Sequence, residues 1–316
     1  MSDQISPGAL AVAFSQKLQT QFPTSYWPKY LFHYAAIENA VSILKEGAIY
    51  SRKHAKEKDL LAIDSAGPAI IDKTDEQYFG YARLYFRPKT PPLFRVEGFI
   101  QDSEGVPHCP VPIYFLFKWN RIFDIPGVLF SDGNLASNHS TCYADVVHLE
   151  SLDFTQIYHN SPILGNDEFK RSIVRSRCAE IIVPDHISLA KNLSCIVCRS
   201  KAERETLLNL MPNAQRAQYS AKTTVEPMCF HRRRQYVESV TLTADSVRFG
   251  FSIPPARVKF RYHFVFSYGG RKRTFDYDDP PGTFTWSRAP GRYGVKLLLD
   301  SQLAYKGAYY PVDEPF

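Results

Sequence analysis

Two rhythms of apolar and polar residues run along this chain, and the change between them divides it. From Ala36 to Glu46, Ile37, Ala40, Val41 and Leu44 recur at i, i+3, i+4 and i+7, which predicts a helix with one buried face. Gly47 follows where a left-handed C-cap is wanted. Upstream, YLFHY reads as a strand. A strand that enters a helix, with His33 just before the helix start, is a natural place for a ligand pocket. The residues up to about 30, with Pro23 and Pro28, read as a short helix and an arm, and residues 51–80 as a charged, irregular stretch with a short helix. ARLYF, VPIYFLFK, EIIVP and SCIVCRS read as short strands, with a long insert over about residues 130–175 between the second and third. Long ordered loops are commonly functional.

Past residue 236 the period becomes two. Val258, Phe260, Tyr262, Phe264 and Phe266 alternate with Lys259, Arg261 and His263, the pattern of a half-buried strand. Gly269-Gly270 supplies a hairpin turn and TFDYDD the returning strand. SVTLTADSVRFGFSI, GTFTWSRAPGRYGVKLLLD and AYKGAYYPV add strands at regular spacing. The expected fold is α+β over residues 1–236, followed by a small immunoglobulin-like β-sandwich over 237–316.

Composition changes this picture little. The 316 residues are 44% hydrophobic and 22% charged, with a mean hydropathy of −0.27, which is ordinary for a globular chain and unlike a disordered one. No apolar run approaches the ~18–20 residues of a membrane span. The start carries Asp3 and lacks the basic opening of a secretory signal, so a cytoplasmic protein without a membrane partner is expected. Cys195 and Cys198 form the only close cysteine pair, on a strand where residues three apart face opposite sides, so reduced core thiols are expected and no metal. Net charge is +6, and residues 241–316 hold 11 basic and 7 acidic side chains of it. Such an excess suits an anionic partner.

The chain has no Gly-rich phosphate loop, HExxH or GxSxG motif, and its nine histidines do not cluster. Four pieces stand out instead: YLFHYAAIENAVSILKEGAIYSR, ARLYFRPKTPPLF, FSDGNLAS and RSRCAEIIVP. In that order and spacing they resemble the DarT family of nucleic-acid ADP-ribosyltransferases, over about residues 28–200. The resemblance implies an ADP-ribosyltransferase-like split antiparallel sheet with helices, NAD as co-substrate, and transfer of one ADP-ribose to a base of single-stranded DNA. It further implies a bacterial toxin whose antitoxin is a macrodomain-type hydrolase that removes the mark.

Breaking the bond between nicotinamide and ribose builds positive charge on the sugar, which a neighbouring carboxylate stabilises. Glu180 stands at the position of the family's catalytic glutamate, held at the rim of an apolar strand; alone, it would read as a strand-edge carboxylate. Arg52 is the best match for the family's catalytic arginine and Arg83 the next. On the NAD side the resemblance places His33, Asn39, Leu44, Tyr85 and Arg83, with Ala35 where the family has a hydroxyl residue. Arg87 and Lys89 are candidates for steering an anionic polymer. Pro92 replaces a common methionine, and YFRPKTPPL departs from the commoner form of its motif, which favours guanine over thymine as acceptor.

On the substrate side stand Asp132 and Asn134 of SDGN, and the insert Asp153–Arg177, which matches the family's substrate-recognition loop. Its Phe154, Tyr158 and Phe169 beside Lys170, Arg171, Arg175 and Arg177 suit base stacking and phosphate contact. A base within a duplex is poorly accessible, so a single strand is favoured. Two further basic clusters, His231–Arg234 and Arg271–Arg273, are candidate contacts to nucleic-acid backbone or solvated surface. The same chemistry on RNA or protein, and a module that binds NAD or nucleic acid without turnover, are the alternatives.

Overall fold

The computed structural model describes residues 5–62, 75–100, 108–137, 139–253, 258–286 and 291–311. Its contacts form two units: Met1–Tyr34, Ser42–Arg95 and Tyr114–Ile196 in the first, Ala35–Val41, Val96–Ile113 and Val197–Phe316 in the second.

In the first part of the chain the strands are β1 (Leu31–Ala36), β2 (Ala48–Tyr50), β3 (Tyr81–Tyr85), β4 (Pro112–Phe117), β5 (Leu129–Ser131), β6 (Cys142–Tyr143), β7 (Glu180–Pro184), β8 (His186–Ser188), β9 (Leu193–Cys198) and β10 (Thr223–Val225). Eight of them form one sheet in the order β10-β9-β4-β1-β3-β7-β5-β6, while β2 and β8 pair separately. The position of β7 follows from its composition. Ile181, Ile182 and Val183 are fully buried, as a strand flanked on both edges and covered on both faces must be. It pairs antiparallel with β3 on one side, Tyr85 opposite Glu180, and with β5 on the other, Phe130 opposite Ile181.

Helix α1 (Pro7–Gln21) is capped by Ser6, whose hydroxyl accepts the Ala9 N–H at 3.2 Å. It is longer than the short helix expected. Helix α2 (Ile37–Glu46) follows β1 directly, one residue later than the periodicity implied because Ala36 closes the strand. Gly47 lies at φ 69°, the left-handed cap expected there. Helix α3 (Arg52–Glu57) starts after β2 with Ser51 as its cap.

The insert is more helical than its composition suggested. A short helix runs over Phe154–Ile157 and a longer one over Asp167–Ser176, capped by Asn166 with Asp167 and Glu168 in its first turn. That second helix buries only Ile173 and leaves Phe169 and Val174 exposed.

In the second unit, β11 (Val237–Leu242), β12 (Ser246–Phe251) and β15 (Thr283–Thr285) form one sheet, and β14 (Arg271–Tyr277), β13 (Tyr262–Tyr268), β16 (Tyr293–Leu299) and β17 (Gln302–Tyr309) a second. Phe249 of the first meets Phe264 of the second at 5.1 Å between ring centres, and Phe284 meets Phe266 at the same distance. Gly269 and Gly270 take φ of 54° and 70°, as a tight primed turn requires. That turn makes β13 and β14 neighbours, so the fourth strand joins the second sheet instead of the first, unlike a constant-type immunoglobulin domain. The expected strand from Val258 begins only at Tyr262, and Val258 is exposed. Helix Lys201–Leu210 packs on β11 and β17, with Ser200 Oγ donating to the Val237 carbonyl at 2.7 Å.

Candidate active site

Four candidate side chains of the first unit come from adjacent strands. β1 supplies His33, β3 supplies Arg83 and Tyr85, and β7 opens with Glu180. Glu180 is the lone polar residue of an otherwise apolar strand, and it is 1% exposed. It opens β7, at the end of the apolar strand as expected, and is buried there. Its carboxylate accepts Arg83 Nη1 at 2.9 Å, the Tyr85 hydroxyl and the Leu135 backbone N–H. Burial pushes the Glu180 carboxyl up from its ordinary value, and the Arg83 guanidinium pulls it part of the way back. The Tyr85 hydroxyl is pushed well up by burial and then by the charge of Glu180, so it remains a donor.

His33 Nδ1 lies 2.9 Å from the Arg83 carbonyl. A carbonyl only accepts, so Nδ1 carries the proton and Nε2 keeps its lone pair in the neutral ring. Burial lowers His33 to about 4, against the opposing effect of that hydrogen bond. The ring is therefore neutral at physiological pH. Tyr34 stacks on Tyr85 with centres 6.1 Å apart and planes 16° off parallel. The Tyr34–Tyr85 pair and the Glu180 carboxylate thus sit on adjacent strands of the β1-β3-β7 ladder, with the neutral imidazole of His33 bonded to the β3 backbone.

The loop after β5 holds the carboxylate from behind. Ser131 Oγ accepts the Glu180 N–H at 3.3 Å and donates to the Gly133 carbonyl at 2.7 Å. Asp132 accepts the Thr141 N–H at 2.9 Å through Oδ1 and pairs with Arg175 at 2.6 Å through Oδ2. Asn134 Oδ1 accepts the Ala136 N–H at 2.8 Å. Sequence reasoning singled out Asp132 and Asn134 and missed Ser131 and Leu135, one of which acts through its backbone. A cavity of about 170 Å³ beside this loop is lined by Asp132, Asp153, Gln156, Ser172 and Arg175, among others.

Most of the other candidates come from other elements. Arg52 is the first residue of α3 and is half-buried. Leu44 is a core residue of α2, Ala35 is buried at the end of β1, and Asn39 is half-buried on α2. Phe154 and Tyr158, expected to stack on a base, are instead core residues. Phe154 packs on Phe14, Phe86 and Trp119, and Tyr158 on Phe22 and Trp27, so their faces are covered. Phe169 is the aromatic of the insert that faces solvent, on the helix that also carries exposed Arg171 and Arg175. Arg87 is likewise no surface steering group. It is 2% exposed, donates to the carbonyls of Pro88, Ile157 and His159, and lies over the Trp27 ring. The six cysteines are free thiols, four of them buried. Among the described residues no group of three or more potential metal ligands occurs, and no helix is long and apolar enough to cross a membrane.

The profile of one protein family, described as "ssDNA thymidine ADP-ribosyltransferase, DarT", matches residues 32–231, more than half of the chain. Among solved structures the chain resembles DarT from Thermus sp. 2.9 in complex with ADP-ribosylated ssDNA, with a TM-score of 0.51 at 16% identity over 65% of this chain and 97% of that one. It resembles the same protein in complex with carba-NAD+ with a TM-score of 0.50, again at 16% identity, over 65% of this chain and 98% of that one. At such identity the likeness establishes the fold. No curated protein matches the chain. Fold and profile together define an NAD-dependent ADP-ribosyltransferase acting on single-stranded DNA, with NAD as co-substrate. The chain belongs to the DarT family.

Proposed function

We propose that Glu180 is the catalytic carboxylate and that the chain transfers one ADP-ribose from NAD to a base of single-stranded DNA. The observation that carries this reading is a buried carboxylate, fixed by three donors, in the strand ladder that also carries neutral His33 and the Tyr34–Tyr85 pair. In the reaction the glycosidic bond between ribose and nicotinamide breaks, and its electron pair leaves with the nicotinamide nitrogen. A nitrogen of the base forms the new bond to the sugar carbon and gives up its proton. Glu180 faces the positive charge that builds between these events, in a dry site where such a charge is felt strongly. His33 and Asn39 hold the NAD, Tyr85 and Tyr34 cover the nicotinamide, and Arg52 serves the proton transfer, with Arg83 as the second candidate. Ala35 supplies no polar contact, and Leu44 forms part of the wall.

On the DNA side, Asp132, Asn134, Arg171 and Arg175 contact the acceptor strand, and Phe169 takes the stacking role first given to Phe154 and Tyr158. The family's description names thymidine, so thymine is the acceptor we take first. Guanine is the second reading, favoured by the departures in YFRPKTPPL. The chain acts as the toxin of a pair whose antitoxin is a macrodomain-type hydrolase, with residues 1–236 carrying the transfer and 237–316 an accessory role.

The test is mass spectrometry of oligonucleotides, each carrying one kind of base, after treatment with the protein and NAD. An ADP-ribose adduct confined to the thymine oligonucleotide is expected. An adduct only on guanine selects the second reading, and label only on RNA or protein overturns both. Glu180→Gln is expected to lower transfer by at least about 100-fold. Its fold should survive. A carboxyl raised in the folded state contributes stability below its unfolded value and loses it as pH rises through the folded one, so the ionised group is a cost at neutral pH. The melting temperature of the variant should hold or rise, and near-normal transfer would remove Glu180 from the mechanism.

A further inference from the structure

The basic segment His231–Arg234, in the second unit, has a use that the transfer chemistry leaves open. A charge run on a mobile surface would need no explanation. This one is held with unusual firmness.

Glu97, 3% exposed, reaches it with both ends. Its carboxylate accepts the backbone N–H of His231 and of Arg232, each at 2.8 Å, and its carbonyl accepts Arg234 Nη1 at 2.6 Å. Behind it the fully buried Arg199 donates to Glu97 at 3.2 Å, to Glu203, and to the Pro110 carbonyl at 3.0 Å, with its guanidinium over the Tyr236 ring. Arg232 is left at φ 56°, a conformation a side-chain-bearing residue adopts only where its surroundings dictate it. Gly98, at φ 87°, faces Arg234 so closely that a Cβ there would stand 2.8 Å from the Arg234 Cβ.

The effect is a backbone fixed from within that turns Arg232 and Arg233 outward, both exposed. From Met228 to Val237 the chain carries three arginines and a histidine and no aspartate or glutamate. Burial and then the charge of Arg233 lower Arg234 from its ordinary value, and the charge of Glu97 partly offsets them.

We infer that Arg232 and Arg233 form a seat for the phosphodiester backbone of single-stranded DNA. Guanidinium groups match phosphate geometry through paired N–H donors. A backbone already fixed spares part of the ordering cost of binding. The inference rests on the reading that the chain modifies single-stranded DNA.

The test compares the full-length protein with an Arg232→Gln/Arg233→Gln variant by fluorescence anisotropy on a labelled single-stranded oligonucleotide over a salt series. Each phosphate contact on a single strand contributes a slope of about 0.7 in log affinity against log salt. Losing two should flatten the slope by about 1.4, so that between about 50 and 200 mM salt the wild type loses roughly sevenfold more affinity than the variant. An unchanged slope overturns the seat, and so does an affinity loss that is equal at both salts. If polyglutamate binding falls as steeply as oligonucleotide binding, the segment takes acidic polymers in general and the assignment to DNA fails. A variant that melts below the wild type is replaced by the single Arg233→Gln change, for which a slope flattened by about 0.7 is expected. Wild-type protein that modifies no single-stranded DNA would instead overturn the reading of function beneath it.

Discussion

At the scale of single residues the site turns on a balance at Glu180. Burial favours its neutral form and Arg83 its charged one, with burial ahead. Transfer needs the carboxylate, so the rate should fall as pH drops through a value above the ordinary glutamate range. Arg83→Met removes the opposing charge, and the acid limb of a rate–pH profile should then move to higher pH while the rate itself drops. A limb that stays in place would mean that some other group titrates. His33 adds nothing to this limb, because it is already neutral above about 4. Both residues could be named from the sequence, since the order of histidine, helix and glutamate survives as a string. The Ser131 hydroxyl and the Leu135 N–H could not, because a loop that grips a distant strand leaves no periodic trace.

At the scale of elements, strands were legible where alternation or an unbroken apolar run marks them, as in β7, β13 and the Gly269–Gly270 hairpin. The insert was not. Its aromatics read as a stacking surface, yet Phe154 and Tyr158 complete the core beneath it, and a one-dimensional pattern cannot tell an aromatic that faces inward from one that faces a ligand. Arg87 misled for a related reason. An arginine beside Pro88 and Lys89 reads as surface, while its guanidinium satisfies carbonyls of the segment that ends at His159. Arg87→Met would leave those buried acceptors without donors, at a cost of about 1–3 kcal/mol for each. Urea unfolding should show a loss of roughly 3 kcal/mol or more, and hydrogen exchange should quicken first around residues 154–161. Exchange that stays unchanged there would show that the insert is held by other contacts.

For the molecule as a whole, the sequence suggested a cut at 236/237, where the periodicity changes. The contacts group the sandwich with helix Lys201–Leu210 and with Val96–Ile113. Ala202 and Leu207 of that helix are buried, and the Thr206 hydroxyl accepts the Lys306 N–H at 3.1 Å. A chain ending at residue 236 would uncover this helix. It is expected to melt at lower temperature than the full chain or to aggregate, and its nicotinamide release should be read only at temperatures below that transition. A truncated chain that melts with the full one would establish the sandwich as an independent appendage. Long-range packing of this kind is invisible to periodicity, which reports how a segment buries its own face and not what covers it.

Gly98 imposes a different kind of limit, on what mutation can reach. A side chain there is opposed twice, by a dihedral that L-residues avoid and by the stem of Arg234 directly in its path. Position 98 and the arginine-bearing strip are therefore tied together, and any side chain at 98 would have to reshape the strip in the same step.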